Sequence, residues 1–196
     1  RMLKCDQFKK VITSDEALFT LNDVNQQTKV QYVSRGKKFE EVTPYESRNF
    51  TKSVMAWAAF SWQGRSKLRF VKPGVKINAK YYINKILKPF FANEASNLCP
   101  NGDFTFQQDS APSHRARITQ EFFRKNKISY FTPEQWLPNS PDLAPCDYFL
   151  WSYLKRQINR KKVTTLRGLK RELKSEFEKM PQEYLQNALT AWPKRA

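Results

Sequence analysis

Strand-like segments open this chain and alternate with helical ones from its middle onward, an order that leaves few ways to build and cover a sheet. Phe8 to Leu21 begins with a β-type run, FKKVIT, that ends at Ser14, Asp15 and Glu16 and reads as the first strand. Lys29 to Val33, Ser53 to Trp62 and Lys67 to Val71 follow as strand candidates, the last after a turn at Gln63 and Gly64, and together they predict an antiparallel meander. The longest uninterrupted apolar run, Val54 to Phe60, is far short of the roughly 20 residues that cross a bilayer. No charged, then apolar, then small-residue leader opens the sequence, so a soluble chain that is not secreted is expected, with no membrane partner. A length of 196 residues predicts one domain, with room for an appendage. Arg1 is not a natural start, which suggests a piece of a longer protein.

Asn78 offers an N-cap to a helix that carries Tyr82, Ile83, Ile86, Leu87 and Phe90 on one face, with Pro89 as a candidate kink. Asn101 and Gly102 then turn the chain into a short strand, Asp103 to Gln108, with Phe104 and Phe106 on one face and Asp109 where the strand stops. A helix bearing Ile118, Phe122 and Phe123 leads to a brief strand, Ile128 to Phe131, and then to a loop punctuated by Pro133, Pro138, Pro141 and Pro145. Cys146 to about Arg160 has helical spacing, with Asp147 in its first turn, where a carboxylate complements the helix dipole. Two further helices use Leu166, Leu169, Leu173, Phe177 and Met180, then Tyr184, Leu185, Ala188, Leu189 and Trp192. The order predicts an α/β fold: a mixed five-stranded sheet of the ribonuclease H-like kind, flanked by helices, with additional C-terminal helices over 163–196.

Charge is distributed unevenly along this fold. The formal net charge is +17, with nine basic groups against one acidic over 51–100, twelve against four over 151–196, but five against six over 101–150. An excess of this size stores self-repulsion that a polyanion relieves, and Lys and Arg gain affinity for phosphates through counterion release. Nucleic acid is the natural partner. An anionic membrane is disfavoured because no basic helix has a broad Trp or Phe face. The three cysteines, Cys5, Cys99 and Cys146, are odd in number and lack CxxC spacing or a His cluster, which argues against a disulfide framework and a zinc site.

Acids retained in the near-neutral stretch invite a functional reading. With the first strand and the one ending at Asp109 adjacent and parallel, Asp15 and Asp109 project from the same edge, where ligands of such sheets bind. Asp147, from the nearby helix turn, completes a cluster suited to two magnesium ions, with manganese able to substitute, for in-line displacement at phosphorus. No organic cofactor is expected. Each acid also has a purely structural explanation: Asp15 as a turn residue, Asp109 as a helix cap, Asp147 as a dipole partner. Asp142 fits turn chemistry. Glu16 points to the opposite face if the strand continues and ranks as a spare, and His114, the only His, reads either as a phosphate contact or as a cap.

The strings Gln107-Gln108-Asp109-Ser110-Ala111-Pro112-Ser113-His114 and Trp136-Leu137-Pro138-Asn139-Ser140-Pro141-Asp142-Leu143-Ala144-Pro145-Cys146-Asp147-Tyr148-Phe149-Leu150-Trp151 resemble the second and third catalytic segments of mariner-type transposases. Thr13-Ser14-Asp15-Glu16 resembles the first, and Val54 to Phe60 with Gln63-Gly64 matches the family's hydrophobic strand and turn, so the resemblance covers nearly the whole chain. It implies that Asp15, Asp109 and Asp147 are the metal-binding triad of a cut-and-paste DNA transposase of the DDE/D superfamily that works in the nucleus. The implied chemistry is metal-assisted attack of water on a phosphodiester at the transposon end, then attack of the released 3′ hydroxyl on target DNA, with TA dinucleotides as the family's usual target.

The chain also departs from the family. The 37 residues from 110 to 146 exceed the best-known spacing between the last two acids by a few, and Ser110 stands where Asn is usual, which suggests a divergent branch with a longer Pro-rich loop. The paired helix-turn-helix modules that read terminal repeats in the family are absent from 1–196. Residues 22–52 resemble the inserted segment that reaches a partner subunit, so a homodimer on DNA is implied by resemblance. Lys155, Arg156, Arg160, Lys161 and Lys162, which follow the third acid, are the preferred phosphate contacts over Lys37, Lys38, Arg65, Lys67, Arg69 and Lys72 of the meander. Two rivals stand beside the transposase reading: a domesticated or inactive transposase-derived DNA-binding protein, and a ribonuclease H-type nuclease that cuts RNA in hybrids.

Overall fold

The structure, a computed structural model, describes residues 6–21, 52–136 and 141–195. The strand expected over Lys29–Val33, the inserted segment apart from Lys52, the lysines Lys37 and Lys38, and part of the Pro-rich loop lie outside the described residues.

β1, Val11–Thr20, is the centre of the sheet. It pairs antiparallel with β2, Ser53–Phe60, and β2 carries the two-residue β3, Arg69–Phe70, on its outer side. On its other side β1 pairs parallel with β4, Thr105–Gln107, which gives the order β3-β2-β1-β4. The mixed α/β architecture is as expected, but the sheet has four strands among the described residues instead of five. Ile128–Phe131 forms only an isolated parallel bridge, Tyr130 with Phe106. Lys127, at φ 54°, turns the chain just before this segment, and Pro133, which has no N–H to donate, follows it.

β1 also starts later and runs further than its first residues suggest. Gln7–Lys10 is a 3₁₀ turn, and Ser14, Asp15 and Glu16 lie within the strand, opposite Ala59, Ala58 and Trp57. Ladder pairing along the whole of β2 overrides the turn propensity of those three residues.

Side-chain alternation divides the sheet into two buried faces. Val11, Phe19, Ala56, Ala58 and Phe60 share one cluster with Leu150, Trp151, Leu154, Leu173 and Trp192 of the C-terminal helices. Ile12, Trp57, Ala59 and Phe106 share the other with Tyr82, Ile86, Phe90 and Phe123. Truncating a fully buried ring such as Phe106 to Ala costs about 3–5 kcal/mol. The apolar run of β2 is thus explained by helices on both sides of it.

The second face is covered by α1, which runs as an α turn Ala79–Tyr81, a π segment Tyr82–Leu87 and an α segment Lys88–Asn93. Asn78 caps it, its side chain accepting from the Tyr81 N–H. The short α2, Ala95–Leu98, α3, Pro112–Arg115, and α4, Arg117–Lys125, complete that layer. Ile118, expected on the buried side of α4, is 39% exposed. The first face is covered by α5, made of a π segment Cys146–Trp151 continued by Ser152–Asn159, and by α6, Leu166–Lys179, and α7, Gln182–Arg195. Among the described residues no helix is long and apolar enough to cross a membrane.

Candidate active site

The parallel pairing of β1 with β4 brings two sequence-distant acids to one region. Gln107 is the last residue of β4 and pairs with Thr13, so Asp109 lies two residues past the strand end while Asp15 lies two residues further along β1. The junction is cross-linked by the Ser14 hydroxyl, which donates to the Gln107 carbonyl at 3.0 Å, and by the Thr13 hydroxyl on Gln107 Oε1. Asp15 does not sit at the carboxyl end of its strand, as the sequence suggested, because β1 continues for seven residues along β2, Ser14 to Thr20, after its pairing with β4 stops at Thr13.

α5 supplies the third acid. Its first turn is fixed by the Asp147 and Tyr148 N–H groups, which donate to the Ala144 carbonyl at 2.9 and 3.1 Å. Asp147 and Trp151, four residues apart on the π segment, both reach Asp15: the Asp147 carboxylate shares a hydrogen bond with it, and the Trp151 indole N–H donates to Asp15 Oδ2 at 2.7 Å. Asp15 is only 8% exposed. Burial, together with the Asp147 and Glu16 carboxylates, holds its pKa well above the usual carboxylate range, against the opposing pull of the indole. Burial likewise raises Asp147, with Asp109 adding to the rise, while the hydrogen bond from Asp15 and the Lys155 charge work the other way. Burial disfavours ionisation of both carboxyls, and the Asp147 charge disfavours that of Asp15 further. Cys146 is fully buried behind them, its Sγ 3.6 Å from Thr13 Oγ1, and burial pushes its thiol pKa up, so it packs and stays neutral.

Asp109 is held differently. Its Oδ1 accepts the Ala111 N–H at 2.9 Å and lies 2.5 Å from His114 Nδ1. Burial works to raise its pKa, but the hydrogen bond and charge of His114 bring it below the usual value. His114 itself is buried, with its ring centroid 4.2 Å from that of Tyr82 and its Nε2 at 3.5 Å from Glu16 Oε1. Both ring nitrogens therefore face carboxylates and neither is presented to a phosphate. Glu16 projects to the opposite face of β1 from Asp15, as alternation requires, and its Oε1 has no hydrogen-bond partner, since 3.5 Å is an ion-pair separation.

The chemistry of this donor set fits a hard divalent cation. Asp15 and Asp147 offer neighbouring carboxyls whose pKa values are raised chiefly by burial and further by nearby carboxylates, a cost of ionisation that a cation offsets, and magnesium is commonly held by one or two carboxylates plus substrate phosphates. Asp109, within electrostatic range of Asp147, has its Oδ1 occupied by His114, and among the described residues no three His, Cys, Asp or Glu side chains stand arranged to hold a metal ion. The structure thus brings Asp15 and Asp147 together and sets Asp109 beside them.

The basic residues after the third acid fall into two groups. Lys155 lies two helical turns from Asp147 on the same side of α5 and bears on its charge, while Arg156, Arg160 and Lys162 are exposed. Lys161 is engaged with Glu172 at 2.6 Å and Glu176 at 2.7 Å. Trp151 was not singled out by sequence reasoning as a site residue; its spacing of four from Asp147 on a helix was the available signal.

Neither a protein-family model nor any curated protein matches the chain. Solved structures do match. The Mos1 mariner paired-end complex with Mn is 23% identical with a TM-score of 0.77, over 97% of this chain and 54% of that one. The Mos1 transposase paired-end complex with left transposon end is 24% identical with a TM-score of 0.74, over 97% and 54%. The catalytic domain of Mos1 mariner transposase is 19% identical with a TM-score of 0.70, over 97% and 80%. The chain therefore spans about half the length of the first two and most of the third. Its fold is the ribonuclease H-like fold of the catalytic domain of Mos1 mariner transposase.

Proposed function

We propose that this chain is the catalytic domain of a mariner-type cut-and-paste DNA transposase, which cleaves DNA at transposon ends and transfers the strand into target DNA. The observation that carries the reading is the contact of Asp15 and Asp147 across β1 and α5, with Asp109 alongside, on a fold shared with Mos1. Structures with this fold include Mos1 complexes with a transposon end, with Mn and with Mg. The net charge of +17 supports a nucleic-acid substrate.

Asp15 and Asp147 would hold a divalent cation between them, and Asp109 would contribute its free oxygen. When bound, Mg²⁺ or Mn²⁺ supplies Lewis-acid stabilisation of charge at phosphorus and eases deprotonation of the attacking hydroxyl. The residues of the chain do the rest. Burial of Asp15 excludes water from one side of the site, while the 45% exposed Asp109 side chain leaves the other side open to a DNA strand. Lys155, with Arg156, Arg160 and Lys162 beyond it, would neutralise the phosphates that arrive there. The same reading makes the DNA-engaged form a homodimer and the nucleus its place of work; light scattering of the DNA complex and imaging of the tagged protein test these two.

The central test is cleavage. With Mg²⁺ or Mn²⁺ the purified protein should nick duplex DNA bearing its transposon end, and Asp109→Ala should abolish nicking while circular dichroism stays unchanged. Undiminished metal-dependent cutting by that variant, or preferential cutting of an RNA and DNA hybrid, overturns the reading.

A further inference from the structure

Three indoles lie almost wholly buried in this protein, and they are treated unequally. Trp57 and Trp192 have no hydrogen-bond partner for Nε1, so their rings serve as apolar bulk. Trp151, 4% exposed, instead donates Nε1–H to Asp15 Oδ2 at 2.7 Å, a charge-assisted bond when that carboxyl is ionised. Its ring is set by the same strand: Asp15 and Phe19 share one face of β1, and the Phe19 ring meets the indole edge-on, with centroids 6.0 Å apart and planes at 75°. The π segment matters here. Its wider turn aims both Asp147 and Trp151 at β1, so one turn of helix delivers to Asp15 its partner acid and its N–H donor together.

We infer that Trp151 is a positioning residue: its indole N–H pins Oδ2 of Asp15 and turns the remainder of that carboxyl toward Asp147, fixing the pair in the orientation that takes up a divalent cation. The inference rests on the reading of Asp15 as a cation ligand given above. A free aspartate side chain samples rotamers about two torsions. One tethered oxygen removes most of that freedom before the cation arrives, so the ordering cost is met by the fold. Partners that hydrogen-bond a ligating carboxylate typically matter by about 10–100-fold in metal affinity.

Trp151→Phe isolates the effect, because it keeps an aromatic ring against Phe19 and deletes the N–H. The expected result is a loss of about 10–100-fold in Mn²⁺ affinity, read by electron paramagnetic resonance of free Mn²⁺, with DNA affinity in the absence of metal unchanged. A second readout needs no stable variant at position 151 beyond its use for assignment. Among the five indole N–H resonances of the ¹⁵N-labelled protein, one should shift in Asp15→Asn and again when Mg²⁺ is added to wild type. That resonance should be the one missing in Trp151→Phe. Wild-type Mn²⁺ affinity in Trp151→Phe, or five indole resonances indifferent to Asp15→Asn and to Mg²⁺, overturns the inference. Loss of Mn²⁺ binding in Asp15→Asn beside intact binding in Trp151→Phe sinks this role alone, whereas intact binding in both Asp15→Asn and Asp109→Asn sinks the metal site itself.

Discussion

His114 Nδ1 lies 2.5 Å from Asp109 Oδ1, and through the same ring, at 3.5 Å from Nε2, Asp109 is linked to Glu16 on the far face of β1. One imidazole thereby ties the end of β4 to the middle of β1. Tyr82 backs the ring and is itself fixed by a 2.8 Å bond from its hydroxyl to Gln108 Oε1. Burial alone would lower the His114 pKa, but the Glu16 carboxylate and the Asp109 hydrogen bond more than offset it and push the value up to about 10.

A cation that persists at neutral pH follows from this. Because the folded value lies above the ordinary 6.5, the stability contributed by this group is fully present below about pH 6.5 and is lost as the pH rises through about 10. As the only His in the chain, its C2–H proton resonance is unambiguous. That resonance should show no titration step near pH 6.5, and Glu16→Gln should move the step down toward neutrality. A wild-type step at the ordinary value would refute the buried ion pair.

His114→Asn should act on turnover and not on binding. Both nitrogens are committed to carboxylates, so DNA affinity is expected to hold while the cleavage rate falls about 10–100-fold, through a loosened Asp109. Single-turnover cleavage against filter-binding affinity separates the two; a large loss of affinity with normal turnover would restore His114 as a phosphate contact.

Much of this arrangement is legible in the sequence, and the remainder is not for identifiable reasons. The apolar run Val54–Phe60 and the helical spacing of Phe149, Leu150, Tyr153 and Leu154 are strong local signals, and both elements form close to where they are expected. Asp15 is found inside a strand because it pairs with Ala58 and its neighbours with Ala59 and Trp57, a long-range contact that local turn propensity cannot anticipate. The Ile128–Phe131 segment has strand composition but only one bridging residue, because what limits it is the backbone on either side. Glu16 reads as a spare acid from alternation alone; that its face of β1 also receives His114 depends on how α3 folds back, which no spacing encodes.

The basic stretch after α5 should divide under salt titration. Arg160 and Lys162 are exposed, whereas Lys161 is neutralised by Glu172 and Glu176. Replacing Arg160 or Lys162 by Ala should reduce the slope of log affinity against log salt by about 0.9 each if they meet phosphates. Lys161→Ala should leave the slope unchanged, and an equal reduction there would mean that the glutamates release it on DNA.

Tyr148 ties the first turn of α5 to the last helix. Its hydroxyl donates to the Ala188 carbonyl at 2.7 Å, and the Arg195 guanidinium sits 4.3 Å over its ring. Tyr148→Phe should therefore cost about 1 kcal/mol in urea unfolding and lower the cleavage rate through its neighbour Asp147. No loss in either measurement would leave α7 a bystander to the site.

Metal and pH should be linked through Asp15 and Asp147. Both carboxyls have folded pKa values raised above the unfolded ones, first by burial and then by neighbouring carboxylates. In metal-free protein their contribution to stability is therefore complete below the ordinary carboxylate pKa and is lost as the pH rises through the raised values. A divalent cation selects the ionised forms, so its binding strengthens over the same interval and its stabilisation of the fold grows with it. The melting temperature in EDTA should fall as the pH rises above the ordinary carboxylate range, the increment on adding Mg²⁺ should widen in the same direction, and Asp15→Asn should flatten both trends. A Mg²⁺ increment independent of pH in the wild-type protein would mean that protons and the cation do not compete for this carboxyl pair.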